Sequence, residues 1–127
     1  MAADYDAAQA WVRAAREHPG DLIGLVTGPL TNLALAMRIE PSLPRLLRRL
    51  VVMGGAFDYK GNTTPVAEWN VSVDPEAAGE VFAVWGAAWG LEEPTHLPIV
   101  LGLNLTEHAA MTPSILSRLA AAANSST

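Results

Sequence analysis

Three polar side chains lie close together in sequence: Asn62, Glu68 and Asn70. A carboxylate and two amides offer both acceptors and donors, a set suited to a ligand rich in hydroxyl groups. Met53 and Trp69 add apolar faces against which the carbon skeleton of such a ligand could pack. The plain alternative is a solvent-exposed loop built of ordinary turn residues. Other chemistry-bearing residues read as structural. None of His18, His96 and His108 is followed by an Asp, and each reads as a surface or capping residue. Asp74 reads as a helix cap because Pro75 follows it. Trp11, Trp85 and Trp89 sit at helical or near-helical positions and read as core.

The elements that must position these residues alternate. Helical spacing of Ala8, Trp11, Val12 and Ala15 predicts a helix from Asp4 to about His18, capped by Asp4 and ended by Pro19-Gly20. Leu22–Val26 is a short apolar run without alternation, the pattern of a strand buried on both faces. Leu30, Leu33, Ala34 and Met37 predict a second helix, with Pro29 in its first turn and Pro41 beyond its end. Leu43–Arg49 reads as a short helical link and Leu50–Met53 as a second buried strand. Gly54–Ala67 has no periodicity and holds three glycines; loops of this length tend to be functional. Asp74-Pro75-Glu76 opens a helix with Ala78, Val81, Phe82 and Trp85 inward, Ile99–Leu103 is a third strand, and Thr112-Pro113 opens a last helix before a polar tail. The fold class is therefore α/β, a mostly parallel sheet with helices on both faces. Ligands of such sheets bind at the carboxyl ends of the strands, so the loops after Val26, Met53 and Leu103 are the ones to watch.

Composition bounds the rest. The chain has 127 residues, half of them hydrophobic, with a formal net charge of −5, which suits a packed single domain or part of one. Only eight Lys and Arg argue against a nucleic-acid partner, and the cluster Arg45, Arg48 and Arg49 reads as a solvated helix face. Without cysteine there is neither a disulfide nor a thiolate metal site. No apolar run approaches the roughly 18–20 residues that cross a bilayer, and Met1–Arg16 does not resemble a signal peptide, so a cytoplasmic location is expected.

Five short strings share an order. Thr27-Gly28-Pro29-Leu30-Thr31-Asn32-Leu33-Ala34, Met53-Gly54-Gly55-Ala56, Gly61-Asn62 with Glu68-Trp69-Asn70, Asp74-Pro75-Glu76-Ala77-Ala78, and Gly102-Leu103-Asn104-Leu105-Thr106 follow one another along the chain. Together they resemble the TGPLTNLA, MGGA, GN/EFN, DPEAA and GLDVT segments of the inosine–uridine-preferring nucleoside hydrolases. The resemblance covers roughly Leu22 to Thr112. It implies a Rossmann-like core, of which residues 1–127 form the central part of a single domain.

The resemblance also implies roles. The backbone carbonyl of Thr27 would be a calcium ligand, Asn62 and Glu68 would hold the ribose 5′-hydroxyl, Asn70 the 3′-hydroxyl side, and Met53 would pack along the sugar. Trp69 replaces the usual Phe and keeps an aromatic wall, whereas Asn104 replaces an Asp and removes a charge at a strand end. The substrate would be a ribonucleoside, cleaved to ribose and free base in purine salvage or related catabolism, and the complete protein would be a homodimer or homotetramer. Family members are longer, with an acidic DxDxxxDD-like cluster before this region and a His-Asp pair after it. Asp4-Tyr5-Asp6 does not fit that cluster. No catalytic residue is therefore expected in this chain, and by itself it should be inactive. A catalytically silent sugar- or nucleoside-binding module and a purely structural fragment stand as alternatives.

Overall fold

The computed structural model describes residues 6–90 and 94–124. Helix α1 (Ala7–Glu17) starts at Asp6, whose carboxylate accepts from the Gln9 amide while the Gln9 side chain accepts from the Asp6 amide. This reciprocal box satisfies two otherwise orphaned donors. The proposed cap Asp4 lies outside the described residues, as does most of the polar tail. His18 ends α1 as its C-cap residue.

Strands β1 (Ile23–Val26), β2 (Arg49–Met53) and β3 (Ile99–Leu101) form one sheet in that order, and both pairings are parallel. Between β1 and β2 run α2 (Thr31–Ile39) and α3 (Leu43–Leu46); between β2 and β3 run α4 (Trp69–Val73), α5 (Pro75–Trp89) and a 3-10 turn at Pro94–His96. Helices α6 (Leu103–Thr106) and α7 (Pro113–Asn124) follow. This is the parallel α/β class expected.

Several boundaries move for physical reasons. Helix α2 begins at Thr31, so Pro29 precedes it instead of entering its first turn. β3 ends at Leu101 because the Leu103 amide turns to donate to the Gly55 carbonyl, and Leu103 becomes the first residue of α6. Asn104 therefore lies in that helix and not at a strand end. Helix α4 went unanticipated: it is five residues long, and its cap is a Glu, which N-cap preferences do not flag.

One face of the sheet carries the core. Gly24, Val26, Leu50 and Val52 lie on it, since Gly24 pairs with Leu50 and Val26 with Val52. Helices α1, α2 and α5 supply Val12, Ala15, Leu33, Met37, Val81 and Trp85 to the same cluster. Trp85 is fully buried and its indole N–H donates to the His96 carbonyl at 2.8 Å, so its polar edge is satisfied. Trp11 and Trp89 pack partly buried against the cluster, in line with the core reading of all three. Gly24 is required here: an added Cβ would stand 2.7 Å from the Trp11 ring. The other face is apolar but open, with Ile23 57% and Leu25 62% exposed. Among the described residues, the helical cover expected on both faces of β1 is complete on one.

Polar ties join the helices around this core. Asp74 caps α5 through the Ala77 amide (3.0 Å) and accepts from the Thr31 hydroxyl at 2.5 Å, linking α5 to the start of α2. The Thr31 hydroxyl, then the Ala77 amide, hold its carboxyl below the ordinary range. Arg38 pairs with Glu80 across the same two helices. Arg45 donates to the Ala88 carbonyl and lies 5.1 Å from the Trp89 ring centroid, and Arg49 donates to the Thr95 carbonyl at 3.3 Å. Arg45 and Arg48 remain exposed, as a solvated face requires, whereas Arg49 opens β2 and does not sit on a helix.

Candidate functional site

The parallel strands bring their carboxyl ends to one rim, where Thr27 follows β1 and Met53 ends β2. The amide of Asn70 spans the two: its Nδ2 donates to the Met53 carbonyl at 3.0 Å and to the Thr27 carbonyl at 3.4 Å, and lies 3.2 Å from the Met53 Sδ. Thr27, Met53 and Asn70 are therefore one contact group.

Glu68 and Asn70 are the only buried polar side chains among the described residues, at 3% and 6% exposure. Burial of a carboxylate is costly unless it is paired with donors. Glu68 meets that cost with three backbone amides: Oε1 accepts from Asn70 (2.8 Å), and Oε2 from Gly55 and Val71 (3.0 Å each). One side chain thus caps α4 and staples it to the turn after β2. The turn needs its glycines. Gly55 is left-handed at φ 85°, and a Cβ there would stand 2.8 Å from the Phe57 ring. A Cβ on Gly54 would press within 3.2 Å of Val71 and 3.4 Å of Glu68 Oε2.

Asn62 reaches the same helix start from the far end of the loop. Its Oδ1 accepts from the Trp69 amide at 2.8 Å, and its backbone N–H donates to the Ala67 carbonyl at 3.0 Å. Gly61 fits where a Cβ would collide with the Thr64 carbonyl at 2.2 Å. Trp69 is half exposed, leaving an open aromatic surface beside these groups. Not every sequence-predicted residue shares one depression. Glu68 lines a shallow pocket of about 390 Å³ with Ala67, Val71 and Pro75, whereas Thr27 lines a separate one of about 250 Å³ with Trp11, Pro29 and Asn32. Asn70 is the bridge between the two sides.

Calcium prefers six to eight oxygen ligands, commonly including carboxylates. This chain offers the Thr27 carbonyl, already approached by the Asn70 amide, and among the described residues no group of three or more His, Asp or Glu could hold a metal. The donor set of the described residues does not fit a calcium centre. No helix among them is long and apolar enough to cross a membrane.

Comparison with known proteins agrees with the parallel α/β fold. The family described as inosine-uridine preferring nucleoside hydrolase matches residues 1–127. A putative pyrimidine-specific ribonucleoside hydrolase RihB of Shigella boydii is 40% identical over 101 residues, covering 79% of this chain and 37% of that protein. The solved inosine-uridine preferring nucleoside hydrolase of Bacillus anthracis superposes with a TM-score of 0.70 at 29% identity, covering 96% of this chain and 39% of the other. A purine-preferring ribonucleoside hydrolase of Gardnerella vaginalis superposes with a TM-score of 0.67 at 30% identity, covering 82% and 30%. The chain thus spans between three-tenths and about two-fifths of the length of these relatives.

Proposed function

Because the chain belongs to the inosine-uridine preferring nucleoside hydrolase family, we propose that it is the ribose-gripping segment of an N-ribosyl hydrolase. The parent reaction breaks the bond between C1′ and the base nitrogen, joins a water oxygen to C1′, and leaves the base with a proton. The observation that carries this reading is the buried Glu68–Asn70 pair at the strand rim, fixed from both ends of one loop.

Glu68 accepts three amide bonds and has about four lone-pair directions, so it retains room for one sugar hydroxyl. Asn62 uses its Oδ1 on the Trp69 amide and can offer its Nδ2 outward, while Asn70 uses its Nδ2 on the rim carbonyls and can offer its Oδ1. Met53 and the open Trp69 ring flank these groups. Grips of this kind contribute by positioning the sugar. They supply neither a proton acceptor for the attacking water nor an acid for the departing base. The Thr27 carbonyl would be one ligand of a calcium ion whose charged ligands the described residues do not bring together. The relatives are named for pyrimidines in one case and purines in another, so the proposal is drawn at the ribose and not at the base.

The test joins binding to turnover. D-ribose added to the labelled chain should shift the resonances of Asn62, Trp69 and Asn70, and Glu68→Ala should remove the effect. Ribose that moves none of them sinks the reading. A reducing-sugar assay with inosine and uridine, with and without calcium, should stay at the blank. Turnover abolished by Glu68→Ala would instead show that the chain holds its own catalytic set.

A further inference from the structure

The loop between β2 and α4 is tied down at both ends by contacts already described, yet its middle is held by something else. Tyr59 and Lys60, immediately before Gly61-Asn62, both reach Glu107 at the end of α6. The Tyr59 hydroxyl donates to Glu107 Oε2 at 2.9 Å, and Lys60 Nζ lies 3.3 Å from the same oxygen. Lys60 Nζ also stands 5.8 Å from the Tyr59 ring centroid, so the three side chains contact one another pairwise. Asp58, just before them, is left-handed at φ 49°, so the backbone turns sharply immediately ahead of the pair. Helix α6 is itself anchored to the start of the loop, through the Leu103 amide on the Gly55 carbonyl and the Phe57 ring against Gly102.

We propose that Glu107 is a positioning residue for the sugar-gripping loop: it clamps Tyr59 and Lys60 and thereby fixes the approach of Asn62 to the rim. The proposal rests on the ribose reading of Asn62 given above. Glu107 touches no sugar in this scheme. It ties the third strand's exit to the loop that grips, so the grip is set by both neighbouring strand ends. The same contact marks itself electrostatically: the Glu107 hydrogen bond raises the Tyr59 phenol above its ordinary range, and Tyr59, then Lys60 and His108, lower the Glu107 carboxyl.

Tyr5 and Tyr59 are the only tyrosines, so in a Tyr5→Phe background the ultraviolet titration of tyrosinate reports Tyr59 alone. Glu107→Ala should lower that midpoint. Amide exchange at Gly61 and Asn62 should quicken about two- to fivefold, the range expected of an exposed pair. Tyr59→Phe should quicken the same amides, and the double variant should fall short of the sum of the two effects. Shifts induced by D-ribose at Asn62 should weaken in Glu107→Ala and recover partly in Glu107→Gln, which keeps an acceptor for the phenol. An unmoved Tyr59 midpoint, or unchanged exchange at Asn62, overturns the clamp. If midpoint and exchange respond while ribose binds neither parent nor variant, the clamp stands and the ribose reading falls instead.

Discussion

Leu50 and Leu25 are carried by neighbouring strands one register position apart, yet one is sealed and the other is 62% exposed. The difference is the face. Leu50 points into the layer of α1, α2 and α5, while Leu25 points to the side those helices leave open. Between the faces lies the rim, where burial is kept by polar pairing: Glu68 is as enclosed as the core leucines because three amides meet it. Apolar packing and amide capture are thus two ways of burying a side chain here. They should fail differently when broken.

The largest loss is expected on the covered face. Leu50→Ala removes a fully buried side chain from the cluster that also holds Val12, Leu33, Val52 and Val81, and leaves a cavity there. Chemical denaturation should show a loss of about 2–5 kcal/mol. A smaller value would mean that the helices slide to refill the gap, and the covered face would be softer than its density implies.

How much of this was legible in the sequence follows the same division. The strands and main helices were readable because apolar residues recur at strand and helix periods, and the Asp74 cap because Pro75 follows it. What period cannot report is which apolar face is covered. Ile23 and Leu25 are as apolar as Leu50, so β1 read as buried on both sides. The rim was legible only as a cluster of suitable residue types. That Glu68 would cap a short helix, and that its acceptors would be largely spent on amides, depends on the Gly54-Gly55 turn folding back, a contact between distant positions. Glu107 was invisible for the same reason. Its partners lie before α4, α5 and β3 in the chain, and nothing in its local sequence points to them.

The rim is sharpened by Glu68→Ala. Three amides lose their acceptor, and those of Asn70 and Val71 belong to the first turn of α4. The expected cost is about 1–3 kcal/mol, below that of Leu50→Ala, because the freed donors can find water at the edge. Exchange at Gly55, Asn70 and Val71 should quicken while the amides of α1 keep their protection. If α1 loosens equally, rim and core are one cooperative unit and the contrast between them disappears.

Acid should loosen the packed side at its surface ties. The Ser42 hydroxyl, then Arg16, hold the Glu40 carboxyl down to about 2 from an ordinary 4.5. A carboxyl whose folded-state value is depressed stabilises the fold above its unfolded value, and that contribution is lost as pH falls through the folded one. Stability should therefore decline from about pH 4.5 toward pH 2, with Asp74, Glu80 and Glu107 acting in the same sense. Ser42→Ala should flatten that decline, measured as urea midpoints across the window. An unchanged slope would show that the bond between Ser42 and Glu40 is not kept in solution.

The smallest effect is expected from Leu25→Ser on the open face. Most of the Leu25 side chain already meets water, so the substitution removes little burial and leaves no cavity. β1 pairs with β2 through its backbone, which the change does not touch. Stability at low protein concentration should stay within about 0.5 kcal/mol of the parent. The comparison with Leu50 breaks if the cost approaches that of a core leucine, because Leu25 would then be covered in solution. Concentration separates the causes: a stabilisation of the parent that grows with protein concentration, and that Leu25→Ser removes, would identify a second copy of the chain as the cover. A loss independent of concentration would place the cover within the chain itself.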